Sequence, residues 1–197
     1  MKSFIKEWGI FTLFILLILL SRLFLWNLVI VDGHSMDPTL ANKERLVVLT
    51  KTKIDRYDIV VAEETDNGKR KEIVKRVIGM PGDKITFKDD QLYVNNKKVD
   101  ETYLSQFKSA FKKDKLQKTY SYNKFFQQLA KASNAFTTDN QGNTNFTVTV
   151  SEGEYYLLGD DRIVSKDSRE VGTFKRSAIK GEVKFRFWPF KRMGILK

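Results

Sequence analysis

The sequence predicts a mainly β protein: an antiparallel β core behind one N-terminal membrane-spanning helix, with a polar, partly helical segment inserted into the core. Three observations carry this. The first 31 residues, MKSFIKEWGIFTLFILLILLSRLFLWNLVIV, are almost wholly apolar after Glu7. Most of the remainder alternates apolar and polar side chains in short runs rich in Val, Ile, Tyr and Phe, the period of a half-buried strand. Between residues 101 and 145 that alternation stops, and seven Lys stand against three acids among many Gln, Asn, Ser and Thr.

The N-terminal segment divides into a charged stretch, residues 1–7, and an anchor, residues 8–30. Gly9 to Leu20 is uncharged, and the apolar character resumes at Leu23. A helix from Trp8 to Trp26 rises about 27 Å, close to a hydrocarbon core. The two tryptophans fit interfacial belts, and Arg22, one turn from Trp26, can snorkel outward. No small-x-small site follows Leu20, so the segment reads as an anchor that stays attached. Lys2 and Lys6, opposed only by Glu7, put the N-terminus in the cytoplasm and everything beyond about Val31 on the outer face.

In the core, residues 31–100 and 146–197, strands are expected at RLVVLTK, YDIVVAEE, KEIVKRVI, DKITFKD, QLYVNN, NFTVTV, EYYLLGD and EVKFRFW. ITFKDDQLYVNNKKV reads as successive hairpins, with Asn95-Asn96 suited to a turn that needs positive φ. In the insertion, residues 101–145, NKFFQQLAKASNAF predicts one amphipathic helix with Phe125, Leu129 and Ala132 on one face. The insertion as a whole reads as a solvated excursion; its rival is a contact surface for a partner or for the cell wall.

Composition narrows the function. There is no cysteine, which excludes disulfides, thiolate catalysis and Cys-ligated metals, and one histidine makes a His-based metal site improbable; neither metal nor cofactor is expected. A net charge of +11 favours an anionic neighbour such as phospholipid, wall polymer or nucleic acid. No DNA-binding module is present, and with an anchor the phospholipid membrane is the expected partner and nucleic acid is not. The C-terminal FRFWPFKRMGILK mixes aromatics with Lys191 and Arg192 and suits either the bilayer interface or a last core strand.

VDGHSMDPTL, Val31 to Leu40, places the single histidine, His34, beside Ser35. Neighbours on an extended chain point to opposite sides, so His34 is a poor base for Ser35. A nucleophilic Ser35 then needs a carboxylate or a lysine. A lysine serves only when its amine is neutral, and burial among apolar groups lowers its pKa. In EIVKRVIGMPGD, strand alternation puts Lys75 on one face with Ile73 and Val77, and Val74, Arg76 and Ile78 on the other. The alternative for Lys75 is an exposed lysine on a half-buried edge strand.

Four stretches in order behind the anchor resemble one family. GHSMDPTL looks like the nucleophile motif of the bacterial type I signal peptidases, DIVV (Asp58 to Val61) their next box, KRVIGMPGD (Lys75 to Asp83) their general-base box, and GDDRIVSKDSREVG (Gly159 to Gly172) their last. The resemblance, nearest to Gram-positive members, implies a membrane-anchored serine endopeptidase with a barrel-like β domain. Ser35 would be the nucleophile and Lys75 the general base, with Ser165 orienting the Lys75 amine. Asp160 and Arg162 would support the site, and Asp167 and Arg169 would form an ion pair beneath it. Its substrates are secreted preproteins with small-x-small cleavage sites, held as an added strand. Val29, Val31, Met36 and Leu40 on one side and Ile73 and Val74 on the other are the expected pocket walls. Three positions depart from the pattern: Tyr57 for Gly, Asp161 for Asn, and Gly33 where some members carry an oxyanion-hole serine. The rival readings are a non-catalytic relative that assists surface-protein assembly, a self-cleaving regulator of the repressor type, and a wall-polymer binder.

Overall fold

The computed structural model describes residues 2–66 and 68–196. Helix α1 (Lys2–Phe24) leads into strand β1 (Trp26–Ile30). Side chains from Ile10 to Leu20 are exposed and apolar. Among the described residues, no helix is long and apolar enough to cross a membrane, and the charged side chains expected to orient residues 1–7 lie outside them. The expected anchor over 8–30 is therefore corrected at its end. Residues 26–30 pair with β2 (Arg45–Leu49) along its whole length, Trp26 opposite Leu49 and Ile30 opposite Arg45. An apolar run is ambiguous between helix and strand; here the N–H and C=O groups of β2 supply partners that a continuing helix would leave unmet.

The eight strands expected from alternation all form. They include β3 (Ile59–Asp66), β4 (Lys69–Gly79), β5 (Lys84–Lys88) and β6 (Gln91–Val94). β7 (Lys97–Val99) follows β6 through Asn95 and Asn96, at φ +51° and +65°. Next come β8 (Phe146–Thr149), β9 (Glu154–Leu158), helix α4 (Ser168–Val171), β10 (Phe174–Lys175), β11 (Ile179–Trp188) and β12 (Gly194–Ile195). The larger sheet runs β1-β2-β11-β3-β4-β9-β10, with β12 beside β11, and the smaller runs β7-β6-β5-β8. Every pair is antiparallel. The larger path has two ends and does not close. β1 and the first half of β4 line opposite sides of a cleft, and bulges interrupt the pairing of β11 with β2 and β3 and of β4 with β9.

Three apolar clusters hold these layers. Met36, Leu40, Leu46, Val48, Ile59, Val61 and Val183 form one beneath the 31–44 loop. Val60, Val77 and Leu157 centre a second, and Ile78, Ile85, Phe87, Leu92 and Tyr156 join the two sheets in a third. Each fully buried side chain of this size contributes about 1.5–3 kcal/mol.

The insertion is not a solvated excursion. Helix α2 (Ser105–Asp114) and helix α3 (Lys124–Ala132) pack around a fourth cluster that includes Phe107, Phe111, Leu116, Tyr120 and Phe136. Asn123 caps α3, its side chain accepting from the N–H groups of Phe125 and Phe126. The buried face of α3 is centred on Ala130 with Phe126, while Phe125 and Ala132 are exposed, one position off the expected stripe. α2 was hidden in the sequence because its core face is only Phe107 and Phe111, one turn apart among lysines.

Candidate active site

Ser35 lies on the loop between β1 and β2. The loop is closed at its base by Val31 and the 43–44 backbone: the Val31 N–H donates to the Glu44 carbonyl and the Lys43 N–H to the Val31 carbonyl, both at 2.8 Å. Gly33 sits at φ +104°, where an L side chain is strained, and its N–H is held by Asn42 Oδ1 at 3.1 Å. Met36 and Leu40, 1 % and 0 % exposed, peg the loop into the core, so Leu40 is a core residue and not a pocket wall. Because 33–40 is a run of turns rather than a strand, the alternation argument about His34 does not apply. Its ring is nonetheless engaged elsewhere, with Nδ1 2.9 Å from Asp37 Oδ2.

Lys75 comes from the middle of β4, opposite Val60 of β3, and is 4 % exposed. Its Nζ is 2.9 Å from Ser35 Oγ and 3.2 Å from the Val74 carbonyl. Burial pulls the ammonium from 10.5 down to about 8, against the charges of Asp167 and Glu64, which favour protonation. A half-buried serine hydroxyl and a lysine that loses its proton near pH 8 thus share a hydrogen bond, the geometry required of a nucleophile and its base.

The 159–169 segment closes the site from behind. The Asp161 N–H donates to the Ser35 carbonyl at 3.0 Å. Asp160 accepts from Arg76 Nε and Nη2 at 2.9 and 2.7 Å and from Thr39 Oγ1 at 2.5 Å, tying β4 to the nucleophile loop in a fully buried pair. Arg162 is equally buried and pairs with Glu101 at the root of the insertion. Asp167 accepts from Arg169 Nε and Nη2 at 2.8 Å and from the Gly159 N–H at 3.0 Å; burial alone would raise its carboxyl, but these partners hold it below its ordinary value. Ser165 does not hydrogen-bond Lys75, as the resemblance implied. Its Oγ is buried without a partner, packed where a Cβ on Gly159 would stand, 2.1 Å away. That close approach explains the glycine: any side chain at 159 would strike both Ser165 and the Ser35 carbonyl.

In front of the dyad lies a cleft of about 480 Å³. Val29, Val31 and Met36 line it from one side, and Ile73 and Val74 from β4. Of the expected walls only Leu40 is missing. Reading the residues in order missed Arg76 as the partner of Asp160, Glu101 as that of Arg162, and Tyr120, whose hydroxyl donates to Asp161 Oδ1 at 2.5 Å. Their signal was faint: Arg76 is an arginine between the β-branched pairs Ile73-Val74 and Val77-Ile78, and Glu101 is one acid ahead of a basic segment.

Residues 5–188 match the family model described as signal peptidase, peptidase S26. A Signal peptidase I of Streptococcus pneumoniae (strain ATCC BAA-255 / R6) is 58% identical over 200 residues, covering 98% of this chain and 97% of its own. Signal peptidase I S of Bacillus subtilis (strain 168) is 40% identical, covering 98% and 94%. Signal peptidase IB of Staphylococcus aureus (strain COL) is 38% identical, covering 96% and 93%. On a match that spans nearly the whole chain, the protein belongs to the signal peptidase family, peptidase S26.

Proposed function

We propose that this protein is a serine endopeptidase that hydrolyses the bond joining a signal peptide to an exported preprotein, with Ser35 as nucleophile and Lys75 as general base. The observation that carries the reading is the buried Lys75 amine 2.9 Å from Ser35 Oγ on the floor of an open cleft. Neutral Lys75 takes the Ser35 proton as the oxygen attacks the scissile carbonyl. The ammonium then protonates the leaving amine, which departs as the mature protein, and Lys75 activates water to free the signal peptide from Ser35. The Ser35 N–H is the expected first donor to the oxyanion; Gly33 offers no hydroxyl as a second.

The substrate lies extended between β1 and β4. Val29, Val31, Ile73 and Val74 leave shallow apolar depressions that suit small side chains before the cut. Asp160, Arg162, Asp167 and Arg169 act as supports that fix β4, the nucleophile loop and the insertion relative to one another. The exposed apolar run Ile10–Leu20 supports a membrane-associated N-terminus with the cleft on the outer side, where the apolar part of a signal peptide is also held. The non-catalytic alternative gains nothing from the geometry, since it has no use for a lysine desolvated against a serine hydroxyl.

The test is incubation of the purified full chain with a preprotein, followed by mass determination of the fragments. Wild type should release a mature chain cut after a small-x-small sequence; Ser35→Ala and Lys75→Ala, both folded, should release none. Full activity in Lys75→Ala would end the proposal.

A further inference from the structure

The cleft continues past Ser35. There it is walled by His34 and by Phe126 of α3, neither of which the reaction above uses. The His34 ring lies 5.2 Å from Tyr122 and 5.8 Å from Phe126, and Tyr122 meets Phe126 edge to face at 6.2 Å. Two anchors fix this group. Asp37 holds His34 Nδ1, and Phe126 packs edge to face on the buried Tyr120 at 5.6 Å. The front is open, because Tyr122 is 57 % exposed. A rigid aromatic corner that adjoins the reacting serine yet faces solvent is a binding surface rather than a core.

The direction of the substrate decides what reaches it. β1 starts two residues after α1 ends, and α1 carries the exposed apolar run. A signal peptide whose apolar segment lies beside α1 therefore enters along β1 from its Trp26 end, and its small residues pass between Val29–Val31 and Ile73–Val74. Beyond the cut, the chain must leave over His34 toward α3.

We propose that His34, Tyr122 and Phe126 form a subsite for the first residue of the mature segment, favouring an aromatic or large apolar side chain there. The inference rests on the endopeptidase reading and adds to it a role for the insertion: α3 supplies one wall of the substrate site. The ring edges and faces offer an incoming aromatic the T-shaped and offset contacts that aromatic groups prefer, and the rings lose little freedom in making them.

The test uses the purified full chain and two peptides with the same small-x-small site, differing only in Ala or Phe directly after the cut. In wild type, kcat/KM for the Phe peptide should exceed that for the Ala peptide about fivefold, the scale of one aromatic contact. In Tyr122→Ala, an exposed position that leaves the fold intact, the ratio should fall toward about one, and in Phe126→Leu it should fall partway. Equal cleavage of both peptides by wild type, or a ratio unchanged in Tyr122→Ala, overturns the subsite while leaving the endopeptidase reading in place. Failure to cut either peptide above the level of Ser35→Ala overturns both.

Discussion

Moving pH across the Lys75 titration, with and without Glu64, tests the general base directly. Burial has brought the Lys75 amine to about 8, so about a tenth of the molecules carry it neutral at pH 7, half at pH 8 and about nine tenths at pH 9. If the neutral amine is the base, kcat/KM should rise about tenfold from pH 7 to pH 9 and then level. Glu64 lines the same cleft, is 7 % exposed, and favours the charged form of Lys75. Glu64→Gln keeps the shape and removes the charge, so Lys75 should lose its proton at lower pH. The half-maximal point then moves to the acid side, and the variant outperforms wild type most clearly near pH 7. The assay is initial-rate hydrolysis of a small-x-small peptide from pH 6 to 10 at constant ionic strength. A flat profile, or a midpoint that stays put or rises in Glu64→Gln, would refute the assignment.

Three further outcomes follow from the same groups. Because folding lowers the Lys75 pKa from 10.5 to about 8, the unfolded chain holds the extra proton between those values, and this site costs the native state about 3 kcal/mol at neutral pH. Lys75→Met should therefore melt higher than wild type at pH 7 by calorimetry, with the gap narrowing as pH rises from 8 toward 10.5. The Asp161 carboxyl is pushed up from 3.8 to about 7 by burial, so its favourable contribution, full below pH 3.8, is lost as pH rises through 7. Asp161→Asn, which keeps an acceptor for Tyr120, should flatten stability between pH 4 and 7 in urea titrations and be more stable than wild type at pH 8. Gly159→Ala places a methyl 2.1 Å from Ser165 Oγ and 2.5 Å from the Ser35 carbonyl. It should abolish peptide cleavage and cost about 1–3 kcal/mol by denaturant unfolding, whereas Gly159→Ala with full activity would mean that the Ser35 loop is not held as described.

Much of the molecule was legible from local pattern. Period two marked the eight strands, and Asn95-Asn96 marked a turn that needs positive φ. Lys75 stood out as a cation in β-branched company, and in the folded chain it is buried as that company suggests, although Asp167 and Glu64 also act on its charge. The misreadings share one cause. Residues 26–30 are apolar enough for a membrane helix, yet the edge of β2 takes them as a strand. Leu40 has the chemistry of a pocket wall, yet it serves as a peg beneath the loop.

Sequence alone marked candidates by their chemistry: with no cysteine and one histidine, a nucleophilic Ser35 needed a carboxylate or a lysine, Lys75 was a candidate by its β-branched neighbours, and the resemblance to the signal peptidases implied the pair. Only the tertiary structure decided how that pair is held. Forty residues apart, they meet because Met36 and Leu40 sink the nucleophile loop into the core while Arg76, the neighbour of Lys75, is clamped by Asp160. It also decided that residues 101–145 belong to the site, through Glu101 on Arg162, Tyr120 on Asp161 and Phe126 on the cleft. Such contacts leave little trace in a single chain read in order. A buried polar group must find a partner, but which distant residue supplies it depends on how the whole chain packs.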